Sequence, residues 1–199
     1  VRLTMRIIVG KALDTRTPAS ATFGAGATRV VQVLGVGGAS GVPSGDVEAV
    51  VLNLTSTGAT AGSFLTVWPS GTAQPNVSNL NTEPGTDVPN LVIAQPGADG
   101  RVNVYNDGGT TDVVVDIMGY FNSESNYVPV TPGRVLDTRS APGSAGPLGQ
   151  FATRTVGAAG TGLPAPAGAA SVIMNVTSTQ ATGASFVTAY ASNKPLPPT

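Results

Sequence analysis

One tetrapeptide governs how this chain can be read: Leu13-Asp14-Thr15-Arg16 returns 123 residues later as Leu136-Asp137-Thr138-Arg139. Its surroundings return with it. Asn53-Leu54-Thr55-Ser56-Thr57 recurs as Asn175-Val176-Thr177-Ser178-Thr179, and Ser63-Phe64-Leu65-Thr66 as Ser185-Phe186-Val187-Thr188, both at a spacing of 122. Ala27-Thr28-Arg29-Val30-Val31 lines up with Ala152-Thr153-Arg154-Thr155-Val156 at a spacing of 125. Such a period exceeds the roughly 20–50 residues of a solenoid or propeller unit. A unit of about 120 residues is large enough to be a domain with its own core. The chain therefore reads as a first repeat over 1–121, a linker over 122–127 and a partial second repeat over 128–199.

Within the units, apolar residues follow the two-residue period of half-buried strands. Residues 1–9 alternate and lead into the first motif, and 27–34 is rich in β-branched side chains suited to a strand. Residues 47–55 are almost continuously apolar, which places them at the centre of a sheet covered on both faces. In 63–68, alternation puts Phe64, Thr66 and Trp68 on one face and Leu65 and Val67 on the other. Further strands are expected over 89–94, 101–105 and 111–118. Asp99-Gly100 and Asn106-Asp107-Gly108-Gly109 have the chemistry of tight hairpins. No stretch carries an apolar stripe of helical period. The expected fold is all-β: tandem antiparallel β-sandwich repeats of seven or eight strands each, the second repeat incomplete.

Composition narrows the function. Charged residues make up 11%, against about 25% in typical soluble domains, and the net charge is −1. Nucleic acid and anionic lipid both call for basic clusters that are missing here. There is no histidine and no cysteine, so Ser-His-Asp and Cys-His nucleophiles, zinc sites and disulfides are excluded within these residues. The carboxylates show no paired pattern, and no Gly-x-Ser-x-Gly elbow is present. No enzyme, cofactor or metal is expected. No apolar run is long enough to span a membrane. An export signal is expected to have been removed or to lie upstream of Val1.

The phrase Val128-Pro129-Val130-Thr131-Pro132-Gly133-Arg134-Val135-Leu136-Asp137-Thr138-Arg139 carries a resemblance. With it go Asn79-Leu80-Asn81, Val88-Pro89-Asn90-Leu91-Val92 and Asp112-Val113-Val114-Val115-Asp116-Ile117-Met118-Gly119-Tyr120-Phe121. Together they resemble the LDTR-type repeat modules of secreted actinobacterial cell-surface proteins. The resemblance implies a secreted, extracellular, cell-surface-associated protein. The expected function is a non-enzymatic structural module, a head-to-tail filament or adhesion subunit; the alternative is a glycan-binding accessory module of a larger secreted enzyme. Expected partners are identical subunits or further copies of the repeat, with a cell-wall or surface glycan as the other candidate. Half a sandwich over 128–199 would expose its inner face, so either the chain continues or another subunit adds strands to it. The stretch 1–9, which has Val9 where the second unit has Pro132, is the candidate donor strand.

The repeated motif has two readings. Asp14-Thr15-Arg16 is a ligand-gripping triad, since an Arg fork matches a carboxylate, or it is structural, with the Asp capping a turn and the Arg paired to Asp112 or Asp116. Those two aspartates lie four apart in one strand and so share a face. Repetition across differing loops favours the structural reading, with Arg16 and Arg139 mostly buried against a fixed partner in their own unit. A candidate glycan site comprises Trp68, Tyr105 and the loop residue Asn76, because flat aromatic faces stack on sugars. Asn53, Asn76 and Asn175 each match the N-glycosylation pattern but are expected to serve as ladder residues.

Overall fold

The computed structural model of the chain describes residues 3–17, 20–37, 41–139 and 146–197. They divide into two units, Val1–Gly133 and Arg134–Thr199. The described residues of the first form eight strands: β1 (Arg6–Asp14), β2 (Thr28–Gln32), β3 (Ala49–Thr57), β4 (Ser63–Pro69), β5 (Leu80–Thr82), β6 (Val88–Ala94), β7 (Arg101–Asn106) and β8 (Asp112–Phe121). All pairing between them is antiparallel, in two four-stranded sheets ordered β1-β8-β3-β6 and β2-β7-β4-β5.

Alternation along each strand builds the core. Val50, Leu52 and Leu54 of β3 and Val113, Val115 and Ile117 of β8 pack with Leu65 and Val67 of β4 and Val102 and Val104 of β7. Phe23, from the β1–β2 connection, joins this core through a backbone bridge to Thr111. Strand β3 is central, as its continuous apolar run requires. Its outer face is covered too, where Ala49 and Val51 pack with Phe121, Ile93 and Tyr127.

The pairing follows a rule that the strand pattern did not disclose. The six ladders are β1–β8, β2–β7, β3–β6, β3–β8, β4–β5 and β4–β7. Every one joins a strand of the first half, β1–β4, to a strand of the second half, β5–β8. Among the described residues, no two strands of the same half pair. Most connections therefore cross from one sheet to the other. Gly100 and Gly109 do adopt positive φ, 76° and 62°, but each turn sends the chain between sheets, since β6 and β8 lie in one sheet and β7 in the other. The expected hairpins at these turns are not formed.

Two further expectations change. Residues 122–127, read as a linker, contact the first unit. A 3-10 turn, Ser123–Ser125, is held by the Ser123 N–H donating to Asp46 at 3.2 Å, and Tyr127 stacks on Phe121 with ring centroids 4.8 Å apart. In the second unit the expected sandwich strands at 152–156, 175–177 and 185–188 are not formed. Its described residues hold only a single bridge between Ala159 and Ala165. The cross-half rule supplies the reason. These segments repeat β2, β3 and β4, whose ladder partners all come from β5–β8, and residues 128–199 contain no counterpart of that half. Leu54 is fully buried while its equivalent Val176 is 56% exposed, and Leu65 and Val187 contrast in the same way.

Burying such a side chain is worth about 1.5–3 kcal/mol, so equivalent substitutions should differ sharply. Leu54→Ala is expected to destabilise the first unit by about 2–5 kcal/mol in denaturant unfolding, whereas Val176→Ala should leave the unfolding midpoint unchanged.

Candidate functional site

The repeated motif sits where β1 ends. Leu13 packs against the core opposite Val115, and Asp14 lies opposite Val114 on the outer face. Beyond the strand the chain turns, and side chains still alternate. Asp14 and Arg16 point one way and Thr15 points inward, where it is 2% exposed.

The Asp14 carboxylate is saturated with donors. Lys11 Nζ reaches it at 2.8 Å, Arg16 Nε at 2.9 Å, Arg16 Nη2 at 2.8 Å and the Arg16 backbone N–H at 3.2 Å. A carboxylate offers about four acceptor positions, and all are taken, which leaves none for a metal or an incoming ligand. The Arg16 and Lys11 cations hold the Asp14 carboxyl well below the usual carboxylate range. In return Asp14 pushes the Arg16 guanidinium up.

The same device recurs in the second unit. Asp137 accepts from Arg134 Nη1 at 2.8 Å, Arg139 Nε at 3.0 Å, Arg139 Nη2 at 2.8 Å and the Arg139 N–H at 3.0 Å. Its carboxyl is lowered likewise, chiefly by the Arg139 side chain. Leu136 is exposed and Thr138 half-buried, outside any strand. A second local contact also recurs: Arg29 donates to Ala21 O, and Arg154 donates to Gly146 O at 3.1 Å, each reaching eight residues back.

These contacts correct the expected role of the Arg. Each Arg is paired within its own unit, but with the Asp two residues before it rather than with Asp112 or Asp116. Neither is buried, the Arg16 side chain being 55% exposed and that of Arg139 51%. Alternation carried the missed signal, since residues two apart share a side and place the fork against its own Asp. Asp112 is engaged by Thr15 instead. The Thr15 hydroxyl donates to Asp112 Oδ1 at 2.9 Å and accepts from the Val113 N–H at 2.8 Å. Asp116 faces Lys11 across the β1–β8 ladder.

The aromatic candidates are not brought together as a platform. Trp68 is only 5% exposed, and its indole N–H donates to Thr72 O at 3.1 Å. Beside it the Thr66 hydroxyl donates to Val77 O at 2.8 Å, so the segment after β4 is tied over this face. Tyr105 is half-buried, tilted against Phe64 at 6.4 Å, with its hydroxyl donating to Asp107 at 3.1 Å. Asn76 is exposed in the loop and Asn53 lies within β3. Among the described residues, no three carboxylates gather where they could hold a metal ion, and no helix is long and apolar enough to cross a membrane.

No protein-family model, curated protein or solved structure matches this chain.

Two expected outcomes follow from the site. Thr15→Val leaves the buried Val113 N–H without an acceptor and should destabilise the first unit by about 1–3 kcal/mol, while Thr138→Val should change nothing measurable in the same thermal melts. The second concerns pH. A carboxylate whose folded pKa is depressed contributes stability that is present above its unfolded value, about 3.9, and is lost as pH falls through the folded value. In a carboxyl-carbon NMR titration, Asp14 and Asp137 should remain ionised below about 3.9. Arg139→Ala should return Asp137 toward that value and leave Asp14 unmoved.

Proposed function

We propose that this chain is a non-enzymatic structural module of a bacterial cell surface, secreted and built from tandem β-sandwich repeats whose partners are further copies of the repeat. The observation behind this reading is the saturated clamp that both units share. A motif that spends every acceptor of its carboxylate on its own neighbours is architectural, and its recurrence marks the chain as assembled by repetition rather than around a ligand. The absence of histidine and cysteine from the sequence and the low content of charge support a structural over a catalytic role, and they suit a polar, weakly interacting extracellular surface. The glycan-binding alternative loses its principal platform, because the Trp68 ring is covered and its N–H already engaged.

The filament reading needs a different geometry from a free N-terminal donor. Residues 6–14 are strand β1, paired to β8 of their own sheet, so they are not available to a neighbour without opening the first sandwich.

Surface exposure gives the direct test. An antibody raised against the first sandwich should label intact cells producing the protein, and brief protease treatment of those cells should remove the label. Labelling only after lysis would count against this reading.

A further inference from the structure

We infer that residues 146–190 are an acceptor for a set of strands with the sequence pattern of residues 78–121, supplied by a further copy of the repeat. The inference deepens the structural reading above and rests on it for the source of the partner alone.

The occupant is specified by the first unit. There, β2, β3 and β4 obtain every ladder from β5–β8. The second unit repeats the sequences of those three first-half strands, but its described residues form no sheet. Its core-type side chains Ile173, Met174, Val176, Phe186 and Val187 lie exposed. Their equivalents in the first unit define the missing contacts through the observed register. Leu52 lies opposite Ile117 and Leu54 opposite Val115; by repetition Met174 and Val176 take those positions. Leu65 lies opposite Asn106, and Val187 stands in its place.

The second-half strands β5–β8 are already engaged in the ladders of the first unit. Three of the four edges of the first sandwich are poor substitutes. β1 is interrupted by two register shifts, β5 is three residues long and β6 carries Pro89, all features that blunt strand addition.

The test adds a synthetic peptide of residues 78–121, in excess, to the intact 199-residue protein and follows amide hydrogen exchange across 171–190. Exchange there should slow by at least about tenfold, the mark of entry into a stable ladder, with one peptide bound per chain by native mass. A second arm fuses another copy of residues 78–121 after Thr199 through a flexible linker, which serves if the free peptide aggregates. The fusion should protect 171–190 and add a second cooperative unfolding transition. Replacing the added copy's equivalents of Val113 and Val115 by Asp should abolish both effects and leave the first sandwich intact. Unchanged exchange at 171–190 in the fusion would overturn the inference, as would equal protection in the intact protein through self-association alone. Both arms are run in vitro, so this inference can fail while surface labelling succeeds, and the reverse.

Discussion

The structure depends on one constraint, that each strand of one half finds its hydrogen bonds only in the other half. A strand's backbone N–H and C=O groups must be paired once its faces are buried. Here every ladder except β4–β5 joins strands that are not consecutive in the chain. Several loop bonds cross between the halves as well: the Thr15 N–H donates to Val113 O, the Gly26 N–H to Asn106 O, the Thr60 N–H to Thr110 O and the Glu48 N–H to Phe121 O. Such a sheet cannot grow from successive hairpins, and folds dominated by distant pairings form slowly. The two halves are parts of one cooperative object.

Against this stand the contacts that need no partner half. The Asp14–Arg16 fork spans two residues and closes identically at Asp137–Arg139, in a unit with no sheet beneath it. The Arg29 and Arg154 contacts to carbonyls eight residues back are equally local. Thr15 shows what the complete sandwich adds, since only there do β8 and its Asp112 stand where the inward hydroxyl can meet them. The motif is thus a surface clamp on one side and a core tie on the other. The clamp survives alone, but the tie requires the second half.

This division bears on function. A carboxylate already accepting four hydrogen bonds has no capacity for a ligand, and an indole tied to its own loop offers no stacking face. The unsatisfied part of the molecule is a run of strand sequences in the second unit with exposed apolar side chains and no ladder. Backbone pairing and apolar burial would both be recovered by one kind of object, a second half of the same design, which is why repetition rather than ligand recognition organises the proposed role.

Much of the fold was legible in the sequence because its signals are local. Strand-type patterning located seven of the eight described strands of the first unit and missed the three-residue β5, and the unbroken apolar run marked β3 as central. The site was legible in part: the Asp–Arg pair could have been read from their spacing of two, whereas Thr15 meeting Asp112 across 97 residues could not. Nor could the sequence tell that Asp99-Gly100 and Asn106-Asp107-Gly108-Gly109 turn the chain between sheets, because positive φ serves a hairpin and a crossing equally well. Strand identity is written in side-chain pattern, which each segment carries for itself. Strand partnership is decided by which backbones meet, and only the tertiary structure showed that every partner lies in the opposite half.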